Sequence, residues 1–163
     1  DAQLECASKD RIAANLDLLW SKLSVELNPQ DLKKQTDVLY KRQITENGLD
    51  ALKAANIIFW SAWQGSELMG CGALKDHGNG LGEIKSMRTS PEFRQQGVAK
   101  AILDTIIEKA SDIGLQRLSL ETGSMDFFAP ARRLYQRHGF EYCGPFADYQ
   151  ADPNSLFMTR LID

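Results

Sequence analysis

The stretch 82–114 constrains this chain more than any other, because it reads as strand, turn and helix in immediate succession. Residues 83–89 form a short run with apolar Ile84 and Met87. Ser90-Pro91 interrupts it, since the proline ring fixes φ and pushes its predecessor out of the helical region. Arg94, Gln95, Gln96, Gly97, Val98 and Ala99 then open a helix. Its apolar positions Val98, Ile102 and Ile106, with Leu103 and Ile107 beside them, fall along one face. Gly114 stops it. A small-residue turn entering a helix N-terminus presents backbone N–H groups with the positive end of the helix dipole behind them. That arrangement suits a phosphate or pyrophosphate, and Arg94 adds a charged donor. The stretch is not a Walker loop, which needs Gly-Lys-Ser/Thr, nor the Gly-x-Gly-x-x-Gly dinucleotide fingerprint.

Composition narrows the partners. At 163 residues the chain is expected to form one domain, residues 1–163, with a core of its own. A net charge of -3, from 19 basic and 22 acidic residues, argues against a general nucleic-acid binder while leaving room for a local basic pocket. No apolar run approaches a membrane span, and the opening Asp1-Ala2-Gln3-Leu4-Glu5-Cys6 has no signal-peptide pattern. The expectation is therefore a cytoplasmic protein with Cys6, Cys71 and Cys143 as free thiols. The cysteines show no paired spacing and His77 and His138 stand alone, so no metal site is expected.

Taken in order, residues 2–7 form a first strand. A helix capped by Ser8 follows, with Ile12, Leu16, Leu19, Trp20, Leu23 and Leu27 at helical spacing. Asp31 caps a second, which stops near Asn47-Gly48. Residues 56–64 are rich in β-formers, Gly65-Ser66 is a hairpin turn, and residues 67–75 return as a strand. Gly70 and Gly72 inside that strand mark a bulge or a close backbone approach. Residues 76–80 are a polar loop in which His77 is expected to be solvated. Residues 116–121 alternate polar and apolar, completing a βαβ unit with the 83–89 strand. After a loop over 122–129, Pro130 starts a short helix ending at Gly139. Residues 140–143 and 155–161 are the last strands. The fold class is α/β with a mixed sheet.

The segment Arg94, Gly97, Ala99, the Ser90-Pro91 before it, the amphipathic helix after it, and the later Ala131-Arg132-Arg133-Leu134-Tyr135 together resemble the GCN5-related N-acetyltransferase (GNAT) superfamily. The resemblance covers residues 57–161. Within it, residues 59–63, 82–89, 120–131 and 152–158 look like a bacterial branch of acetyltransferases, some labelled indole-acetate acetyltransferase. It implies a mostly antiparallel sheet with two central, splayed parallel strands and flanking helices. It also implies acetyl-CoA as cosubstrate, no metal, a small-molecule acceptor and a fold in which homodimers are common.

Carried over to this sequence, the resemblance assigns the CoA pyrophosphate to the amides of Gln95, Gln96, Gly97, Val98, Ala99 and Lys100, with Arg94 beside them. The backbone of Met87, Arg88 and Thr89 would bond the pantetheine arm as an added strand. The Arg88 side chain is expected to face the acceptor pocket or solvent. The Met87 N–H would face the thioester carbonyl, where charge develops. Glu83 is the candidate base; four residues before Met87, it is expected on the same strand face. Glu121 is a second candidate, and the alternative for Glu83 is a solvated carboxylate at the strand start. Tyr135 would protonate the departing thiolate, or else be a core aromatic with a wet tip. Phe128 stands where many members carry an Asn that touches pantetheine or orders water. Should the acceptor be acidic, Lys85, Arg88 and Arg133 are the cations to consider. A module that binds acyl-CoA without turnover is the alternative function.

Overall fold

The computed structural model describes residues 3–6, as backbone, and residues 55–162. The two helices expected between Ser8 and Gly48 lie outside the described residues. The described elements are strands β1 (Gln3–Cys6), β2 (Ile57–Gln64), β3 (Glu67–Asp76) and β4 (Leu81–Thr89), helix α1 (Val98–Asp112), β5 (Arg117–Gly123), helix α2 (Ala129–Arg137), β6 (Glu141–Cys143) and β7 (Ser155–Leu161). They form a sheet in the order β1-β2-β3-β4-β5-β7-β6. β4 and β5 are parallel, while β1 pairs β2, and β7 pairs both β5 and β6, in antiparallel fashion. A parallel pair cannot be closed by a tight turn, and α1 supplies the crossover.

The β4–β5 register runs from Leu81↔Arg117 to Ile84↔Leu120 and ends there, although β4 continues to Thr89 and β5 to Gly123. This is the expected splay of the two central strands. The neighbours of the register sort the residues by face. Glu83 lies opposite Ser119, Ser119 opposite Thr159, and Thr159 opposite Glu141, a polar row across four strands. One residue along, Ile84, Leu120 and Met158 make an apolar row on the other face, each nearly or fully buried.

The described residues fall into two compact units. One takes in residues up to Ala73 and Ser86–Thr105. Its core holds Phe59, Leu68, Cys71 and Ala73, with Ile57 and Trp63 packed against them. Burial raises the Cys71 thiol pKa to about 12, against a small opposing effect of Arg88, so Cys71 is a core residue and not a nucleophile. Gly70 is required by the packing: a Cβ there would stand 2.6 Å from the Arg88 carbonyl oxygen and 3.0 Å from a Val98 methyl. The close backbone approach expected of this glycine is what the strand needs.

The other unit comprises Leu74–Lys85 and Ile106–Asp163. Ile106, Ala110, Leu118, Leu120, Phe140 and Met158 are buried in it. Each of the larger of these side chains, removed from water, contributes roughly 1.5–3 kcal/mol. Gly114 closes α1 at φ 76, the left-handed conformation a glycine adopts without strain. α2 has Pro130 in its first turn, and its end is capped locally: His138 Nδ1 lies 2.8 Å from the Leu134 carbonyl oxygen.

One local expectation is corrected. The helix does not open at Arg94. Pro91–Phe93 forms a single 3-10 turn, Arg94 is extended, and α1 begins at Val98. Within β4, Ser86 takes φ 54 rather than an extended value.

Candidate active site

The turn ahead of α1 is held at its root by a buried serine. Ser90 is fully buried; its N–H donates to the Met69 carbonyl (2.8 Å), and its hydroxyl bonds the Glu92 carboxylate. From there the chain alternates in hand. Gln95 has φ 60 and Gly97 has φ 84, with Gln96 between them outside the positive-φ region. Alternation of this kind turns successive N–H groups toward one side and makes an anion-binding concavity. Gln96 braces the turn, its side-chain amide donating to the Glu92 carbonyl (2.8 Å). Ala101 makes the first helical bond, to Gly97 O at 2.9 Å, so the amides of Val98, Ala99 and Lys100 have no intrahelical partner. Arg94, Gln95, Gln96, Gly97 and Lys100 are exposed, and Lys100 pairs with Asp104 at 2.6 Å. Backbone donors, a dipole and open space are thus gathered over seven residues.

In the other unit the expected catalytic carboxylate is not solvated. Glu83 is 2% exposed and its two oxygens are divided among three side chains. Oε1 accepts from Lys85 Nζ (2.7 Å) and from the Tyr149 hydroxyl (2.6 Å); Oε2 lies 2.7 Å from His77 Nε2. Lys85 Nζ also donates to the Tyr149 hydroxyl (3.1 Å). Burial by itself would raise the Glu83 pKa. The Lys85 ammonium and the hydrogen bonds from Lys85, Tyr149 and His77 together outweigh it and hold the carboxyl below the ordinary glutamate value. His77, expected in solvent, is turned inward onto this carboxylate, with its side chain 17% exposed.

Tyr149 went unnoticed in the sequence and is central here. It belongs to the segment between β6 and β7, and its ring packs against Phe146 (5.1 Å between centroids) and Phe157 (5.6 Å). The only hint in the sequence is the aromatic spacing of Phe146 and Tyr149 in a segment lacking any strand or helix period. Lys85, considered as a cation for an acidic acceptor, is engaged with Glu83. Arg133 is exposed on α2, and Arg88 donates to the carbonyl of its neighbour Met87 (2.8 Å).

Tyr135 is buried on α2 with its ring 5.8 Å from that of Phe140. Glu121, the second candidate base, accepts a hydrogen bond from Ser155. Phe128 lies against β5, where only the lack of a side chain at Gly123 gives its ring room. Phe127 meets it edge to face at 5.1 Å and is itself exposed. Arg132 reaches the carbonyls of Gly123 and Met125 and holds this loop. A cleft of about 560 Å3 lined by Asn79, Gly80, Leu81, Arg117, Ser119 and Thr159, among others, lies beside the polar row that contains Glu83. Among the described residues no helix is long and apolar enough to cross a membrane.

Comparison with known proteins bears on this arrangement. The profile of the acetyltransferase (GNAT) family matches residues 16–140. An uncharacterised N-acetyltransferase of Bacillus subtilis is 52% identical over 145 residues, which are 89% of this chain and 96% of that protein. An IAA acetyltransferase of Azospirillum brasilense is 37% identical over 113 residues, 69% of this chain and 72% of its own. Among solved structures, a Klebsiella pneumoniae protein named as an acyl-CoA N-acyltransferase superposes with a TM-score of 0.73 at 26% identity, covering 99% of this chain and 98% of that one.

Proposed function

Because this chain belongs to the acetyltransferase (GNAT) family, we propose that it transfers an acetyl group from acetyl-CoA to a primary amine of a small-molecule acceptor, by direct attack while both are bound. The observation that carries this reading is the turn at residues 94–100, whose alternating backbone and exposed helix N-terminus match the charge and shape of a pyrophosphate. The amides of Gln95, Gln96, Gly97, Val98, Ala99 and Lys100 take that group, with Arg94 alongside. The backbone of Met87, Arg88 and Thr89, in the part of β4 beyond its last pair with β5, bonds the pantetheine arm.

The chemistry then follows from the amine. At neutral pH it is an ammonium, and it must lose one proton before its lone pair can attack. Glu83, held ionised, takes that proton through a water. The amine attacks the thioester carbonyl, and the Met87 N–H stabilises the oxyanion. The C–S bond breaks, the Tyr135 hydroxyl protonates the leaving thiolate, and the second nitrogen proton restores that hydroxyl. The net products are the amide, free CoA and one proton. The reaction calls for no metal ion. We place it in a single domain of the cytoplasm.

Acetyl-CoA binding measured by calorimetry on the intact chain, followed by thiol release with amino acids, polyamines and small aromatic amines, tests the reading. Binding is expected, with turnover on at least one amine. Tyr135→Phe is expected to lower kcat by about 10- to 100-fold, toward the low end of what a general acid supplies, with the KM for acetyl-CoA little changed. Lack of acetyl-CoA binding would refute the assignment. Binding without turnover on any acceptor would instead favour a non-catalytic acyl-CoA module.

A further inference from the structure

The cleft beside the polar row takes no part in the reaction above. It sits where β4 and β5 are paired, at Leu81↔Arg117, rather than where they part. Both of its walls are fixed by bonds and packing within the chain. On one side the Gly80 carbonyl accepts from the N–H groups of Gln116 (2.8 Å) and Arg117 (3.1 Å), tying the turn after β3 to the start of β5. On the other, Phe146 packs edge to face on Phe157 at 6.0 Å and against Tyr149 at 5.1 Å. A preformed wall spares a ligand the cost of ordering it. The volume of about 560 Å3 lies within the range of small-molecule sites.

The polar groups of the cleft are not equally free to bind. On the floor, the Thr159 hydroxyl donates to the Leu118 carbonyl (3.0 Å), so the Ser119 hydroxyl donates to Thr159 (2.9 Å) and both protons are spent. Arg117 is exposed and lines the cleft, and among the described residues no carboxylate pairs with it. Its charge is felt inside: burial raises the pKa of the Cys143 thiol, and Arg117 opposes that rise. No Asp or Glu is among the described residues that line the cleft. Of the carboxylates in the polar row, Glu83 is held by Lys85, Tyr149 and His77, and Glu141 is exposed on the edge strand β6. Leu81, Phe146 and Leu161 add apolar surface, and Leu161 is left 65% exposed. One guanidinium among apolar walls suits a ligand with a single negative charge and an apolar body. The planar guanidinium fork matches a carboxylate through two parallel N–H···O bonds. We propose that this cleft binds a small organic carboxylate, its charge paired with Arg117 and its apolar body against Leu81, Phe146 and Leu161.

Cys143 reports occupancy, since it lines the cleft and is only partly buried, while fully buried Cys71, its thiol raised to about 12, serves as the unreactive reference. Alkylation by iodoacetamide, an uncharged reagent, is followed on the full chain by peptide mass spectrometry at alkaline pH. The probes are benzoate and hexanoate at millimolar concentration, each matched with its uncharged amide, benzamide or hexanamide. At least one acid is expected to slow Cys143 alkylation saturably, by about fivefold at four times its Kd, while its amide leaves the rate within about twofold. In Arg117→Gln, measured against its own unliganded rate, the half-protecting concentration of that acid should rise by about 10-fold or more, the equivalent of one charged hydrogen bond. The acid and amide comparison is made on the wild type and stands whether or not the variant folds. No saturable protection by either acid would overturn the site. Equal protection by acids and amides, or unchanged protection in a folded Arg117→Gln, would overturn the carboxylate and its partner. The readout needs neither acetyl-CoA nor turnover, so its outcome is separate from that of the acetyl-transfer reading.

Discussion

The turn at residues 94–100 offers a ligand its backbone, whereas Glu83 is met by three side chains drawn from separate places in the chain. The turn is exposed, continuous in sequence and held by local bonds such as Gln96 to the Glu92 carbonyl. The Glu83 cluster is buried, discontinuous and held by charge. A backbone site tolerates many side chains and depends on conformation. A side-chain cluster tolerates the loss of any one partner less than it tolerates small shifts of the backbone. The two regions should therefore fail in different ways when mutated.

The largest contrast is expected from Glu83→Gln. The amide is nearly the same shape but cannot take a proton. With Glu83 as base, kcat should drop by about 100-fold or more, while the calorimetric Kd for acetyl-CoA stays within about twofold, since the turn is untouched. Equal loss of binding and rate would dissolve the distinction between the two regions. Next in size is Gly97→Ala. Nothing lies within 4 Å of a Cβ at Gly97, so the substitution meets no clash, and its cost is the φ of 84. Forcing a side chain into that region costs about 1–2 kcal/mol. If the backbone relaxes to escape it, the amides turn away and acetyl-CoA affinity falls by about 5- to 30-fold, the binding equivalent of that energy. The kcat at saturating acetyl-CoA should change little. An unaltered Kd in a variant that still folds would remove the turn from the cofactor site.

These two regions also differ in how far the sequence discloses them. The buried face of α1 could be read from Val98, Ile102 and Ile106, because helical periodicity is a local property. The glycine at 70 announced a close approach, and the Arg88 carbonyl is what approaches. The start of α1 is not legible, because Arg94, Gln95 and Gln96 are good helix formers and only the left-handed backbone at Gln95 and Gly97 delays the helix to Val98. The Glu83 cluster lay further out of reach. His77 sits among Asp76, Gly78, Asn79 and Gly80, which read as a solvated loop, and Tyr149 belongs to a segment without periodicity. The hydrogen bond from Tyr149 to Glu83 spans 66 positions of sequence. Such partners are fixed by tertiary assembly, which local patterns do not encode.

The smallest effect concerns stability, and it separates the two regions by pH. Glu83 has a folded-state pKa below the ordinary glutamate value. Its charge therefore contributes stability that is fully present above the unfolded-state pKa and is lost as pH falls through the folded one. Melting temperatures from pH 7 down to pH 3 should decline less steeply in Glu83→Gln than in the wild type, because the variant has no such charge to lose. At pH 7 the variant should melt lower, since Lys85 keeps its charge and loses its counter-ion. Other carboxylates contribute the same acid limb to both proteins, so the difference between the two curves isolates Glu83. Gly97→Ala, which removes no charge, should shift the whole curve down by a nearly constant amount. Parallel curves for wild type and Glu83→Gln would show that the cluster is not held by charge, and the contrast with the backbone-built turn would have to be drawn on geometry alone.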